Sequence, residues 1–172
     1  MIGCDVGSQS LKGILLDPSG AVIAQANAAY DVEYPHPAWA QQDARDWRRA
    51  LTDVIGSLRL QADVPAEAIG VLGLASQVDG LVAVDADGEP LHPAIIWLDR
   101  RAAAQTRALA ASAGEAADAA DAAGAATPRL DRDEIRRITG LNLDASHVAP
   151  KILWLREEHP EVVERAAGLL LP

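Results

Sequence analysis

Phenylalanine is absent from this chain, and aromatic residues fill only 3% of its 172 positions. The core must therefore be built mainly from Ala, Val, Leu and Ile, and the hydrophobic share of 49% suffices for one globular domain. Cysteine occurs once, as Cys4. One thiol forms neither an internal disulfide nor a zinc site, and inside an apolar run it is expected to be a buried small hydrophobe. Positive charge is also scarce: 15 Lys and Arg against 25 Asp and Glu give a net charge of −10 and a pI near 4.7. That balance argues against nucleic acid or an anionic membrane as partner, because both select basic patches. No run approaches the length of a membrane span, and no basic region followed by an apolar stretch opens the chain. The cytoplasm is the expected compartment.

The remaining pattern alternates strands and helices. Residues 2–6, 11–16 and 21–30 read as three consecutive strands, with Pro18-Ser19-Gly20 as the second turn. Pro35-His36-Pro37 breaks regular structure. Asp43 or Asp46 caps a helix reaching about Leu60, with Trp47, Ala50, Leu51, Val54, Ile55 and Leu58 at helical spacing. Residues 69–75 read as a buried strand, and residues 81–84 and 94–97 as two short ones. A helix is expected from Asp99 or Arg100 into residues 102–126, where 15 of 25 positions are Ala. Few side chains there can anchor it, so residues 112–127 are expected to form a flexible insertion without chemistry. Helices are expected over residues 131–138 and 146–158 and from Pro160 to about Ala167, then a strand start at Leu169. An architecture of this kind is α/β, and ending it on an apolar strand predicts a chain cut within a domain.

The densest chemistry lies in the first turn, Asp5-Val6-Gly7-Ser8-Gln9-Ser10-Leu11-Lys12. Between two apolar strands it offers backbone N–H groups, two hydroxyls and one ammonium to an anion, and Gly7 lets the backbone come close. Asp5, at a strand end, is placed to hold a cation that bridges phosphates. No Walker pattern G-x-x-x-x-G-K-S/T occurs anywhere. An ordinary hairpin with a polar turn fits the same residues.

Four later segments follow in order: His36-Pro37-Ala38-Trp39-Ala40-Gln41-Gln42-Asp43 with Trp47; Ala75-Ser76-Gln77-Val78-Asp79-Gly80; Pro93-Ala94-Ile95-Ile96-Trp97-Leu98-Asp99-Arg100-Arg101; and Thr139-Gly140 with Ala149-Pro150-Lys151-Ile152-Leu153-Trp154-Leu155. Together with the first turn they resemble the N-terminal domain of the FGGY carbohydrate kinases, and within that family its xylulokinase branch. The corresponding family patterns read D-x-G-S/T-x-S/G-x-K/R, H-P-x-W-x-E-Q-D, G-Q-x-H-G, P-A-I-x-W-x-D-x-R, and T-G-N followed by A-P-K-L-L-W. Gln41 stands where Glu is usual, and Asp79 where a sugar-contacting His is usual.

The resemblance implies an ATP-dependent sugar kinase, with D-xylulose as substrate, and the actin-like, ribonuclease H-like fold: a mixed sheet opening with a three-strand antiparallel meander. Residues 1–172 would be a truncated N-terminal, sugar-binding domain, incomplete at its C-terminus. The general-base Asp is then expected beyond Pro172 and the adenosine site in a second domain, so no catalytic residue lies in this chain and it is expected to be inactive alone. Asp5, Gly7, Ser8, Gln9, Ser10 and Lys12 would bind ATP phosphates, with Mg²⁺ on Asp5 through water. Gln77, Val78, Asp79, Trp97 and Asp99 would bind the sugar. The implied partners are sugar, ATP, the C-terminal half of the same protein and, compatibly, a second copy in a homodimer.

Elementary chemistry supplies alternatives. Gln77 and Asp79 end a strand read as buried, where a polar pair faces a cleft or remains desolvated; Asp79-Gly80 is equally a hairpin turn. Trp97 and Asp99 end another strand and point into the same crevice by the open-sheet rule; otherwise Trp97 fills the core and Asp99 caps a helix. His36, His92, His147 and His159 share no metal spacing, and Lys151 and Trp154 read as packing. A non-catalytic sugar-binding or interaction module and a kinase for another sugar or polyol remain open. An actin-like or acetate-type kinase is disfavoured by the Gln77–Gly80 and Trp97–Arg101 segments.

Overall fold

The computed structural model describes residues 1–115 and 132–172. Its first unit is a four-stranded mixed sheet. β1 (Ile2–Val6) buries Ile2 and Cys4, and β2 (Ser10–Leu16) buries Leu11, Gly13 and Leu15. This is the period-two alternation of a strand with one face in a core. β3 (Val22–Ala29) completes the meander, with a register shift between Leu15 and Leu16. The turn before it is held by Asp17, whose carboxylate accepts from the Ser19 N–H, the Ser19 hydroxyl and the Ala21 N–H, while Gly20 takes φ +88°.

β4 (Gln41–Gln42) was not legible as a strand. It precedes α1 (Ala44–Ala62), which starts at Asp43, whose side chain accepts from the Arg45 N–H. The helix buries Ala50, Val54 and Leu58, four apart on one stripe, against Ile2, Leu11 and Leu15. A 3-10 turn over Ala66–Ala68 leads to β5 (Leu72–Ser76), parallel to β1, so the sheet order is β3-β2-β1-β5. The expected burial of residues 69–75 is not observed. Val71, Leu72 and Leu74 are 55%, 44% and 59% exposed. The reason is position: β5 is an edge strand, and α1 packs chiefly over β2 and β3.

The second unit is built from short pieces. β6 (Val82–Val84) and β7 (Ala94–Ile95) are bridged through Leu81 and Ile95, and β7 pairs with β4. The strand expected over residues 94–97 stops at Ile95. α2 (Ala103–Glu115) begins later than expected, because Asp99 is drawn into a turn of its own. α3 (Arg132–Thr139) ends at Gly140 with φ +73°. α4 (Val148–Glu158), α5 (Pro160–Arg165) and β8 (Gly168–Leu170) follow, and β8 pairs antiparallel with β6. Leu81, Ile95, Ala102, Trp154, Leu155 and Val162 form the second core. Of the expected insertion, residues 112–115 lie in α2, and the rest falls outside the described residues. No helix among the described residues is long and apolar enough to cross a membrane.

Candidate functional site

The turn after β1 is closed by the Gly7 N–H, which donates to the Ser10 carbonyl at 3.1 Å. A Cβ on Gly7 would lie 3.1 Å from that same oxygen, so a side chain there crowds the turn. Tyr30, at the end of β3, holds the turn from below. Its hydroxyl donates to the Gly7 carbonyl at 2.5 Å and its N–H to the Gln9 carbonyl at 3.1 Å. Burial, and then the Asp5 charge, push the Tyr30 phenol up to about 12, so it remains a donor throughout the physiological range. Asp5 and Lys12 are register partners across β1 and β2, and both are exposed.

A recess of about 360 Å³ opens over this turn and is lined by Asp5, Gly7, Ser8, Gln9, Ser10 and Lys12, with Trp97 as a wall. The Trp97 indole N–H donates to the Ser8 hydroxyl at 2.8 Å, fixing the wall to the turn. The six residues expected around phosphate thus meet one residue expected at the sugar. Among the described residues no cluster of three or more His, Cys, Asp or Glu could hold a metal. Asp5 is the carboxylate in the recess, and one carboxylate suits Mg²⁺, which keeps several waters and takes its other ligands from phosphate.

Gln77 continues the β1–β5 pairing, donating its N–H to the Val6 carbonyl at 3.0 Å. Its side-chain amide donates to Gln42 Oε1 at 3.0 Å, while its own Oε1 is buried without a partner among the described residues, as is Ser76 Oγ. Two such acceptors at one strand end are unusual in a settled interior and suit a polar ligand. Gln42 is the hub here. Buried at 1% exposure, it donates to the Ser8 and Asp31 carbonyls at 2.8 and 3.1 Å and accepts from the Trp47 indole at 3.2 Å. Val78 is exposed, and Asp79 is half-buried with a left-handed φ of +54°. Neither lines the recess.

Asp99 turns inward. Its carboxylate is fully buried and accepts from the Ala40 N–H at 2.6 Å and from the Arg101 N–H and Nε, both at 2.8 Å. The Arg101 guanidinium lies over Trp39 at 4.1 Å and Trp154 at 4.9 Å, and donates to Gln41 Oε1 at 3.0 Å. Lys151, also fully buried, donates to the Ile96 carbonyl at 2.9 Å and to the Asp79 carbonyl. Burial draws its ammonium down to about 8, against the opposing pull of Asp99 and Asp79. Sequence reasoning missed Gln42, Arg101 and Lys151 as site-building groups. Lys151 carried a signal, a charged residue inside the apolar run of residues 148–155, whereas Gln42 and Arg101 stand among other polar residues and had none.

The family model described as "FGGY family of carbohydrate kinases, N-terminal domain" matches residues 1–172. The chain is 29% identical over 172 residues to a xylulose kinase of Lactococcus lactis, covering 100% of this chain and 31% of that protein. It is 34% identical over 168 residues to a glycerol kinase of Thermus brockianus, covering 96% and 30%. A crystal structure of a xyloylose kinase from Brucella ovis superposes with a TM-score of 0.82 at 28% identity, covering 99% of this chain and 32% of the other. The chain therefore spans about 31% of the length of the curated relatives it matches, and its mixed sheet is that of the ribonuclease H-like, actin-like kinases among them.

Proposed function

We propose, from the premise that this chain belongs to the FGGY family of carbohydrate kinases, that it is the N-terminal, sugar-binding part of a kinase transferring the γ-phosphoryl group of ATP to a hydroxyl of D-xylulose. The observation that carries this reading is the recess in which Asp5, Gly7, Ser8, Gln9, Ser10 and Lys12 meet Trp97. Phosphoryl transfer rests on positioning and charge neutralisation rather than on covalent chemistry. The turn N–H groups and the Ser8 and Ser10 hydroxyls cradle the phosphates, and Lys12 adds a point charge. Asp5 would hold Mg²⁺ through water. When bound, the ion neutralises charge on the phosphate oxygens. Gln77 and Asp79 take sugar hydroxyls, Trp97 is the apolar wall, and Asp99 shapes the site by fixing Ala40 and Arg101. The base that accepts the hydroxyl proton is expected beyond Pro172.

A polyol such as glycerol is the second reading, favoured by the identity to a glycerol kinase and by Asp79 in place of the usual His. The test is a coupled ADP-release assay on the complete kinase with D-xylulose and glycerol. We expect turnover with D-xylulose that Asp5→Ala abolishes. Asp79→Ala should raise the sugar KM at least about tenfold with little change for ATP, because charge-assisted hydrogen bonds are lost. Preference for glycerol would select the second reading, and inactivity on all sugars and polyols would reject both.

A further inference from the structure

We infer that Lys151 is a positioning residue for the sugar site, clamping the Asp79 turn to the Ile96–Trp97 strand end through their two carbonyls. The inference rests on the reading of Asp79 and Trp97 as sugar contacts. Leu81 and Ile95 exchange backbone hydrogen bonds at 2.9 and 3.0 Å, and beyond that bridge the two segments part. The Lys151 ammonium spans the gap, donating to the Asp79 carbonyl on one side and to the Ile96 carbonyl on the other. Asp79 occupies the left-handed region at φ +54°, where a non-glycine residue is less favoured and a fixed carbonyl helps to hold the turn. Ile96 precedes Trp97, which is bound to Ser8. One ammonium thus connects the sugar loop, the indole wall and, through that wall, the phosphate turn.

Packing alone does not explain a lysine at this position. The side chain is fully buried in the first turn of α4, where the helix dipole disfavours a cation. An apolar side chain of similar length would fill the volume without desolvating a charge. Apart from four histidines, basic residues in this chain are otherwise arginine: lysine occurs only at 12, in the recess, and at 151, behind the Asp79 turn. A compact ammonium with donors set tetrahedrally can meet two carbonyls from different segments, whereas the planar fork of arginine is shaped for one carboxylate.

The test uses the complete kinase with D-xylulose as probe. Lys151→Met should raise the sugar KM at least about tenfold while the ATP KM stays within about twofold, a split that general loss of stability does not produce. Lys151→Arg should fail to rescue. The charged groups facing Lys151 are Asp79, Asp99, Arg100 and Arg101. If Lys151→Met does not fold, Lys151→Arg decides the matter by the same split between the two KM values. An active enzyme whose sugar KM is unmoved by Lys151→Met, or, where that variant does not fold, by Lys151→Arg, overturns the inference alone. Inactivity of the unsubstituted enzyme on every sugar and polyol overturns the underlying reading, and this inference with it.

Discussion

At the scale of single residues, the site is held by polar groups that reach across the sequence. Gln42 reaches Ser8 and Gln77, and Asp99 reaches Ala40. None of these three pairings can be read from a local pattern. The turn after β1 is different, because its polar residues are contiguous, so Asp5 through Lys12 were legible as one unit. Asp99 was legible as important yet not as inward-facing, since its partner Arg101 is two residues away and the Trp39 and Trp154 faces that accept the guanidinium are remote. A pH response belongs at this scale. Burial holds the His92 imidazole below its ordinary 6.5, with its ring near His159 and Trp154. Its folded value is depressed, so the stability it contributes is fully present above 6.5 and is lost as pH falls below that value, where the unfolded chain takes up the proton first. Melting temperatures measured between about pH 8 and 5 should decline with acid, and His92→Phe should flatten the decline. Equal slopes for both proteins would remove His92 as the cause.

At the scale of elements, the meander and α1 followed from pattern, because period two and the four-residue stripe are strong local signals. β4 and β7, two residues each, are defined only by pairing with one another and carry no signal of their own. The apolar run of β5 was legible as a strand, but its exposure depends on what lies beside it, and composition does not report that. Gly13 shows how closely α1 sits on the sheet. A Cβ there would come within 2.4 Å of Val54 Cγ1 and 3.1 Å of Leu58 Cδ1. Gly13→Ala must therefore push α1 outward or force side chains off their rotamers, at about 1–3 kcal/mol. For a chain of this size that is a fall of roughly 2–12 °C in Tm. The double variant Gly13→Ala/Val54→Ala should recover a good part of the loss, since the two sites touch. Strictly additive effects in thermal melts would show that the helix does not feel the new methyl group.

At the scale of the whole molecule, the described residues bury three apolar clusters. One is built from residues 2–69, one lies around Trp154, and a small one of Val82, Val84 and Ala94 packs on Ala44 and Trp47. β5 borders the first, with one edge unpaired among the described residues and with exposed Val71, Leu72 and Leu74. An apolar open edge is a template for pairing with another chain. The 172-residue chain studied alone should thus associate as concentration rises, despite its net charge of −10, and Leu74→Lys should suppress this. Sedimentation velocity showing one monomeric species across the concentration range would contradict the expectation. The pairing of Ile2 with Leu72 carries a further consequence, for the order of assembly during synthesis. The meander and α1 close among residues that precede β5 in the chain, so they can pack before it is made, whereas β5 must close from Leu72 back onto Ile2. The Gly7–Ser10 turn, held by Tyr30, is accordingly closed early. The contact of Lys151 with Asp79 waits until α4 has been translated, so the nascent chain has its first turn well before the Asp79 loop is fixed.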